Sequence, residues 1–251
     1  LTAFESLPRS LLLWRAVTQW MGGIGIIVLF VAVFPQLSIA GRQMFFAELP
    51  GVSDERVTPR LRSTAAAVLA VYTGLTVLCA AAFALGGMPP VEALGHALTT
   101  VSAGGFTMHG DGLARYANPA IEWTAVAFML VAGTSMPLLW RSLLGRPGLL
   151  LRDAEVRVYL GVAAAAALAL ALLLRDEGGL ALREGAFHAV SVMTTTGYAT
   201  GDFAGWTEPA QAVLITLMLV GGSAGSASGG VKVIRWLIIA KNTFREVRRV
   251  L

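Results

Sequence analysis

Two short segments of this chain carry the residue types that could hold a dehydrated cation. Each contains a histidine and ends in hydroxyl side chains or glycine, and the second copy follows the first by 92 residues. The candidate ligand positions are Ser102, Ala103, Gly104 and Gly105 in the first copy and Thr194, Thr195, Thr196 and Gly197 in the second. Backbone of this kind runs extended with carbonyl oxygens free to replace the water shell of an ion. We therefore expect carbonyl groups of the main chain to bind the ion.

The two copies align without a gap from a glutamate to a glycine. Glu184, His188 and Gly197 each lie 92 residues after Glu92, His96 and Gly105. A period of this length exceeds that of solenoid repeats and predicts a duplicated helix, pore-loop, helix unit. Gly105 and Gly197 are expected to be required, since a Cβ would hinder the backbone shape and a close approach.

The paired histidines allow two interpretations. A metal site is conceivable, but no acidic or cysteine partner of His96 or His188 has the spacing of a ligand set. We therefore expect both to be polar residues that form hydrogen bonds inside a helix bundle. No metal other than the transported ion is expected.

A glycine-rich stretch interrupts the last apolar run. It comprises Gly221, Gly222, Ser223, Ala224, Gly225, Ser226, Ala227, Ser228, Gly229 and Gly230. Glycine costs about 1 kcal/mol per helical position relative to alanine, so the helix should break here. Close helix packing through small residues is the alternative. A phosphate-binding loop is excluded, because Val231 rather than lysine follows.

The same stretch contains the Gly-x-Ser-x-Gly pattern of a nucleophile elbow, centred on Ser223. It supports a rival hypothesis, an intramembrane serine hydrolase with His96 or His188 as the base. Such an elbow normally follows a β-strand, whereas this one lies in an apolar helical run. The hydrolase hypothesis also leaves the repeat unexplained.

Composition identifies the elements that must position these residues as membrane helices. Of the 251 residues, 56% are hydrophobic and only 14% are charged, whereas soluble proteins average about 25% charged. The mean hydropathy is +0.70. The single cysteine, Cys79, lies in an apolar run, which excludes a disulfide framework. Five uncharged runs predict membrane-spanning helices at 16–35, 63–85, 123–140, 158–174 and 209–231.

Basic residues decide the path of the two remaining uncharged segments, 93–110 and 185–201. Fourteen of the 19 basic residues fall in three clusters. The clusters are Arg42, Arg56, Arg60 and Arg62; then Arg141, Arg146, Arg152 and Arg157; then Lys232, Arg235, Lys241, Arg245, Arg248 and Arg249. All three lie on the cytoplasmic side, as the positive-inside rule requires, only if both segments enter the membrane and return. The clusters orient the chain and do not form the basic stripe of a nucleic-acid-binding protein, so no nucleic-acid partner is expected.

Four motifs in order resemble the membrane subunit of Trk/Ktr-type potassium uptake systems (TrkH-like). They are WRAVTQWMGGIG at 14–25, SAGGF at 102–106, TTTGYAT at 194–200, and the glycine-rich 221–230 followed by VKVIR. The resemblance runs nearly end to end. Each motif alone is weak, whereas the combination in this order is specific.

The resemblance implies an all-α membrane protein of helix, pore-loop, helix units around a potassium pathway, channel-like, with two complete units and one partial. Residues 1–62 would hold the second helix of an incomplete first unit and a cytoplasmic loop, 63–157 the second unit, and 158–251 the third unit with its basic tail. By this map the first filter loop and the fourth unit are missing. A truncated, inactive remnant of a transporter is therefore a further alternative.

The function implied by the resemblance is potassium uptake across a bacterial inner membrane, with no covalent catalysis and no cofactor. The filter positions named above would bind potassium. Gly221, Gly222, Ser223, Gly225, Ser226, Gly229 and Gly230 would form a gate beneath the filter. The partners implied are the lipid bilayer, a second copy in a homodimer, and a cytoplasmic nucleotide-binding regulatory subunit. The basic tail itself is explained equally by topology and lipid headgroups.

Overall fold

The computed structural model describes residues 7–32, 57–145, 148–175 and 181–250. Within these ranges the chain is helical and contains no β-strand, as predicted. The α-helices are α1 (Arg9–Ala32), α2 (Val57–Leu85), α3 (Pro90–Val101), α4 (Pro119–Ala132), α5 (Met136–Leu143), α6 (Gly148–Arg152), α7 (Ala154–Leu173), α8 (Ala181–Met193), α9 (Glu208–Val220) and α10 (Val233–Val250). Short 3-10 turns, Gly112–Tyr116 and Phe203–Gly205, follow the two repeated segments.

Three helices contain a stretch long and apolar enough to cross a bilayer, namely Arg9–Val28, Ala65–Leu85 and Ala154–Leu173. They correspond to the first, second and fourth predicted spans. The first begins earlier than predicted and includes Arg9 and Arg15, because a charge at one end of a span does not end the helix. The predicted end of this span at 35, together with Arg42, Arg56 and Arg146, lies outside the described residues.

The third predicted span, 123–140, is not continuous. α4 and α5 meet at an angle of 98° across residues 133–135. Pro137 lacks the N–H that would donate to the Gly133 carbonyl one turn earlier, which breaks the ladder at this point. The freed Gly133 oxygen instead accepts a hydrogen bond of 2.9 Å from the backbone N–H of Ser223. The bend therefore joins the second unit to the glycine-rich stretch.

The fifth predicted span is also interrupted. α9 has 13 residues, and its helix ends at Gly221, whose φ of +69° is a left-handed conformation that glycine adopts at little cost. Irregular backbone follows until α10 begins at Val233. The prediction that the glycines break this helix is confirmed.

The two repeated segments contain helices too short to cross. α3 has 12 residues and α8 has 13, about half of the 20 or so that a bilayer requires. Most residues of both helices are buried, α3 packing against α1 and α2 and α8 against α4 and α7. An ion pair of 2.8 Å between Arg183 and Glu122 joins the starts of α8 and α4.

Candidate potassium filter and gate

The two short helices, hereafter the pore helices, are built alike around their histidines. The Nδ1 atom of His96 lies 2.8 Å from the carbonyl oxygen of Glu92, and that of His188 lies 3.0 Å from the carbonyl of Glu184. Because a carbonyl only accepts, each imidazole carries its proton on Nδ1. The rings pack against Phe83, Tyr116 and Tyr198 in the first case and against Phe187, Phe203 and Trp206 in the second.

These contacts support the structural interpretation of both histidines. Among the residues that the structure describes, no group of three or more His, Cys, Asp or Glu side chains is placed to hold a metal ion. The equivalent hydrogen bonds 92 residues apart show that the repeat extends to the position of individual atoms.

The segment after each pore helix has a repeated backbone conformation. φ is +52° at Ala103 and +63° at Gly105, and +58° at Thr195 and +80° at Gly197. Positive φ at a non-glycine residue is uncommon and costs roughly 1–2 kcal/mol. In both copies, positive φ angles occur at the same two positions, separated by one residue. Strained backbone of this kind is typical of functional sites.

Hydrogen bonds turn the N–H groups of these segments back toward their own pore helices. Those of Gly104 and Gly105 donate to the carbonyl of Thr99 at 2.8 and 3.3 Å. Those of Thr196 and Gly197 donate to the carbonyl of Ser191 at 3.0 and 3.1 Å.

The same helix residues also hold the far end of each segment. The Thr99 hydroxyl donates to the carbonyl of Phe106 at 2.8 Å, and the Ser191 hydroxyl donates to that of Tyr198 at 2.7 Å. With the N–H groups engaged, the carbonyl oxygens of 102–105 and 194–197 remain as the polar groups available to a cation. Thr99 and Ser191 were not assigned this role from sequence, although their 92-residue separation matches the repeat.

The two candidate filter segments, 102–105 and 194–197, contact each other. A Cβ at Gly105 would collide with the carbonyl oxygen of Thr196, so this glycine is required by space as well as by φ. Among the described residues a Cβ at Gly197 would meet nothing within 4 Å, so only its φ of +80° favours glycine there. The described part of the chain therefore supports a close approach at Gly105 and only the requirement for the backbone shape at Gly197.

Tyr198 joins the second filter segment to the pore helix of the first. Its hydroxyl lies 2.7 Å from the Thr99 hydroxyl and 3.1 Å from the Thr100 hydroxyl, and it donates to the carbonyl of His96 at 3.0 Å. The equivalent residue in the first copy is Phe106, whose ring lies 3.6 Å from the guanidinium carbon of Arg15 on α1. One filter segment is thus held by hydrogen bonds and the other by a cation–π contact.

A cluster of Glu92, Tyr116 and His109 lies at the start of the first pore helix. The Tyr116 hydroxyl donates to Glu92 Oε2 at 2.5 Å, and His109 Nε2 lies 3.3 Å from Glu92 Oε1. Burial and the adjacent Glu92 carboxylate raise the pKa of Tyr116, so the phenol stays protonated and remains a donor. Sequence analysis did not find this cluster, because its members come from three separate elements.

A cavity of about 420 Å³ is lined by residues of both filter segments and of the glycine-rich stretch. The filter segments contribute Ser102, Ala103 and Thr195. The glycine-rich stretch contributes residues 225–229, followed by Lys232, and α1 contributes Gln19 and Gly23 among others. The ammonium group of Lys232 donates to the carbonyl of Ser228. The pore helices end toward the filter, where their negative dipole ends favour a cation.

The predicted gate residues divide into three groups. Gly225, Ser226 and Gly229 line the cavity. Gly221 and Gly230 instead form the neck where the stretch starts and returns, since a Cβ on Gly221 would lie 2.6 Å from the carbonyl of Gly229. Gly222 and Ser223 pack against the α4–α5 bend, where a Cβ on Gly222 would lie 2.8 Å from the carbonyl of Gly133.

The stretch 221–232, hereafter the gate loop, makes direct contact with the filter. The backbone N–H of Gly229 donates to the hydroxyl of Thr195 at 2.7 Å. The loop is also held by the N–H of Met136, which donates to the carbonyl of Gly225 at 3.1 Å. Irregular backbone is tolerated at membrane depth where it is buried in protein or lines a cavity, and this stretch does both.

The structure does not support the hydrolase hypothesis. Ser223 follows α9 and not a strand, and its buried Oγ has no hydrogen-bond partner within the described part of the chain. A nucleophile elbow requires a strand-to-helix turn and a base within hydrogen-bond reach. Both histidines that were considered as the base donate to carbonyls within their own pore helices.

Comparison with known proteins agrees with this geometry. The family model described as TrkH, cation transport protein, matches residues 1–174 and 172–250. The chain is 36% identical over 256 residues to the Trk system potassium uptake protein TrkH of Salmonella typhimurium, covering 99% of this chain and 53% of that protein. It is 39% identical over 242 residues to the Trk system potassium uptake protein TrkI of Halomonas elongata, covering 95% and 49%.

A solved structure has the same fold. The crystal structure of the potassium transporter TrkH from Vibrio parahaemolyticus superposes with a TM-score of 0.87 at 33% identity, covering 99% of this chain and 52% of that one. The chain spans about half the length of the relatives it matches. With the family model matching nearly all of its residues, this chain belongs to the TrkH family of cation transport proteins.

Proposed function

We propose that this chain forms part of a potassium uptake protein, in which dehydrated potassium passes a filter of backbone carbonyls. The observation that carries the proposal is the pair of filter segments. In both, the N–H groups are held by a pore helix while the carbonyls of 102–105 and 194–197 are left to coordinate an ion. The names of the relatives, which are potassium uptake proteins, support the choice of potassium.

Ion passage is gated, in this proposal, by the gate loop. The hydrogen bond from Gly229 to Thr195 and the cavity lined by both loop and filter residues support a position of the loop on the ion's path. Lys232 adds a positive charge to this cavity, which opposes cation entry while the loop is in place.

The protein acts by transport and not by covalent catalysis, and it needs no cofactor. It spans the inner membrane of a bacterium several times. In this proposal the three arginine-rich regions lie on one side of the membrane, and the contact between Glu155 and the start of α10 supports this for the second and third regions. The proposed complete units are 63–157 and 158–251, after a partial unit at 1–62.

The partners proposed are the bilayer, a second copy of the protein and a nucleotide-binding regulatory subunit. α10 presents Lys241, Arg245, Arg248 and Arg249 with exposed apolar side chains such as Phe244 and Val247. A helix of this composition suits an anionic membrane surface. The dimer and the regulatory subunit rest on the family resemblance.

Growth of a potassium-uptake-deficient bacterium tests the function. The complete open reading frame that encodes this chain should restore growth at low potassium, and the 251-residue chain alone should not, because two filter segments do not enclose an ion. Failure of the complete protein to restore growth, with its presence in the membrane shown by immunoblot, contradicts the proposed function. Rescue by the short chain contradicts the requirement for further filter segments.

A further inference from the structure

A buried carboxylate at the start of α7 holds both ends of the cavity-facing half of the gate loop. Glu155 is 3% exposed. Its Oε1 accepts hydrogen bonds from the backbone N–H of Ala224 at 2.7 Å and from that of Ile234 at 3.2 Å. These two donors are ten residues apart in sequence, and between them lies every loop residue that lines the cavity.

The position of Ile234 makes the second contact favourable. Ile234 lies in the first turn of α10, where backbone N–H groups have no partner within the helix and the dipole is positive. A carboxylate satisfies such a donor better than a neutral acceptor does, because hydrogen bonds to ionised groups are the stronger ones. Glu155 thus caps α10 from another helix.

The remaining contacts divide the loop into a fixed and a displaceable part. Ser223 and Val233 are held by backbone hydrogen bonds, to Gly133 and to Gly222 respectively. The cavity-facing part is tied to the filter by the N–H of Gly229, which donates to the Thr195 hydroxyl, and to α5 by the N–H of Met136, which donates to the carbonyl of Gly225. One oxygen atom of Glu155 adds a direct link between the two ends of this part.

We propose that Glu155 is the positioning residue that keeps the gate loop closed beneath the filter. This inference rests on the proposed function for its consequence in ion flux. Its structural content, that the loop leaves the cavity when the carboxylate is removed, does not depend on which ion is transported.

The experiment uses the complete protein in liposomes and compares Glu155→Ala, Glu155→Gln and a matched control, Asp153→Ala. Asp153 is the N-cap of the same helix, and its carboxylate accepts from the N–H of Val156 rather than from the gate loop. Both alanine variants lose a helix-terminal carboxylate, but only one loses the loop contacts. The glutamine variant keeps an acceptor oxygen without the charge.

The first readout is potassium flux without any added regulator. A hydrogen bond to a charged group shifts an equilibrium by roughly tenfold or more, so Glu155→Ala should raise basal flux by at least about tenfold. Glu155→Gln should give a smaller rise and Asp153→Ala none. Equal flux in all variants overturns the inference, as does an equal rise in Glu155→Ala and Asp153→Ala.

The second readout reports the loop position directly. Ala227→Cys places a thiol in the cavity lining, and the native Cys79 is fully buried. A membrane-impermeant thiol reagent should label Ala227→Cys faster when Glu155→Gln or Glu155→Ala is present, and Asp153→Ala should leave the rate unchanged. Unchanged labelling in the Glu155 variants overturns the inference. Absence of potassium flux in the wild-type protein, with faster labelling retained, contradicts the proposed function and not the role of Glu155 in holding the loop.

Discussion

Removing the hydroxyl of Tyr198 is expected to weaken ion selectivity more than it weakens the fold. The phenol has one proton, which it gives to the carbonyl of His96, and it accepts from Thr100, since the Thr99 hydroxyl donates to the carbonyl of Phe106. Tyr198→Phe therefore removes about two buried hydrogen bonds, worth about 2 kcal/mol together. Because these bonds hold the second filter segment on the pore helix of the first, their loss should distort the geometry of the filter.

The magnitude follows if the whole of this energy holds the filter in its potassium-coordinating shape. About 2 kcal/mol corresponds to roughly a thirtyfold change in an equilibrium, which is the upper limit for the fall in the potassium-to-sodium flux ratio. The assay is uptake of each ion into liposomes that contain the complete protein, with thermal unfolding measured in parallel.

Tyr159→Phe is the matched control. Tyr159 is fully buried and its hydroxyl donates to the carbonyl of Leu130 at 3.2 Å, which also accepts from Thr134. This substitution should lower thermal stability slightly and leave the flux ratio within about twofold, since no filter residue loses a hydrogen bond. If Tyr198→Phe keeps the wild-type ratio, or if both variants lower it equally, the argument that Tyr198 positions the filter is refuted.

Three further predictions concern the filter glycines and the gate loop. Gly105→Ala should be the more damaging filter substitution, because its Cβ meets the Thr196 carbonyl, whereas Gly197→Ala costs only the roughly 1–2 kcal/mol of a left-handed residue. Membrane expression and unfolding temperature of the two variants check this order, and equal losses in both would contradict it. A bulkier residue at Gly197 should still lower potassium-over-sodium selectivity, because φ is +80° there, and an unchanged flux ratio would count against the filter assignment. Deletion of 226–228 should raise potassium flux by removing a constriction from the cavity, and unaltered flux at normal expression would remove the support for a gate.

Local sequence was sufficient to predict the repeated parts of the fold. The 92-residue repeat located both pore helices, because an uncharged stretch of about three turns followed by glycines is too short to cross a bilayer. The high density of glycines predicted the break after Val220, because glycine is unfavourable in a helix. These features depend on residues close together in the chain.

The contacts between units could not be predicted in this way. The α4–α5 bend has a local cause in Gly133 and Pro137, yet apolar composition alone favoured one continuous span. Glu155 was not singled out from the sequence, because its partners lie 69 and 79 residues away. Tyr198 similarly belonged to a filter motif, whereas the atoms its hydroxyl contacts lie about 100 residues earlier. Contacts between residues so far apart in the chain are determined by tertiary packing, which hydrophobic periodicity does not predict.

The difference between Phe106 and Tyr198 has a mechanical consequence. In a pore assembled from identical subunits, every wall of the filter has the same stiffness, and a substitution alters all walls at once. Here the two segments are encoded separately, and the hydroxyl of Tyr198 forms hydrogen bonds to the neighbouring pore helix that Phe106, which contacts Arg15 instead, cannot form. In the proposed pore we therefore expect the segment with Tyr198 to be the stiffer one, and a substitution can alter the stiffness of one segment without altering that of the other.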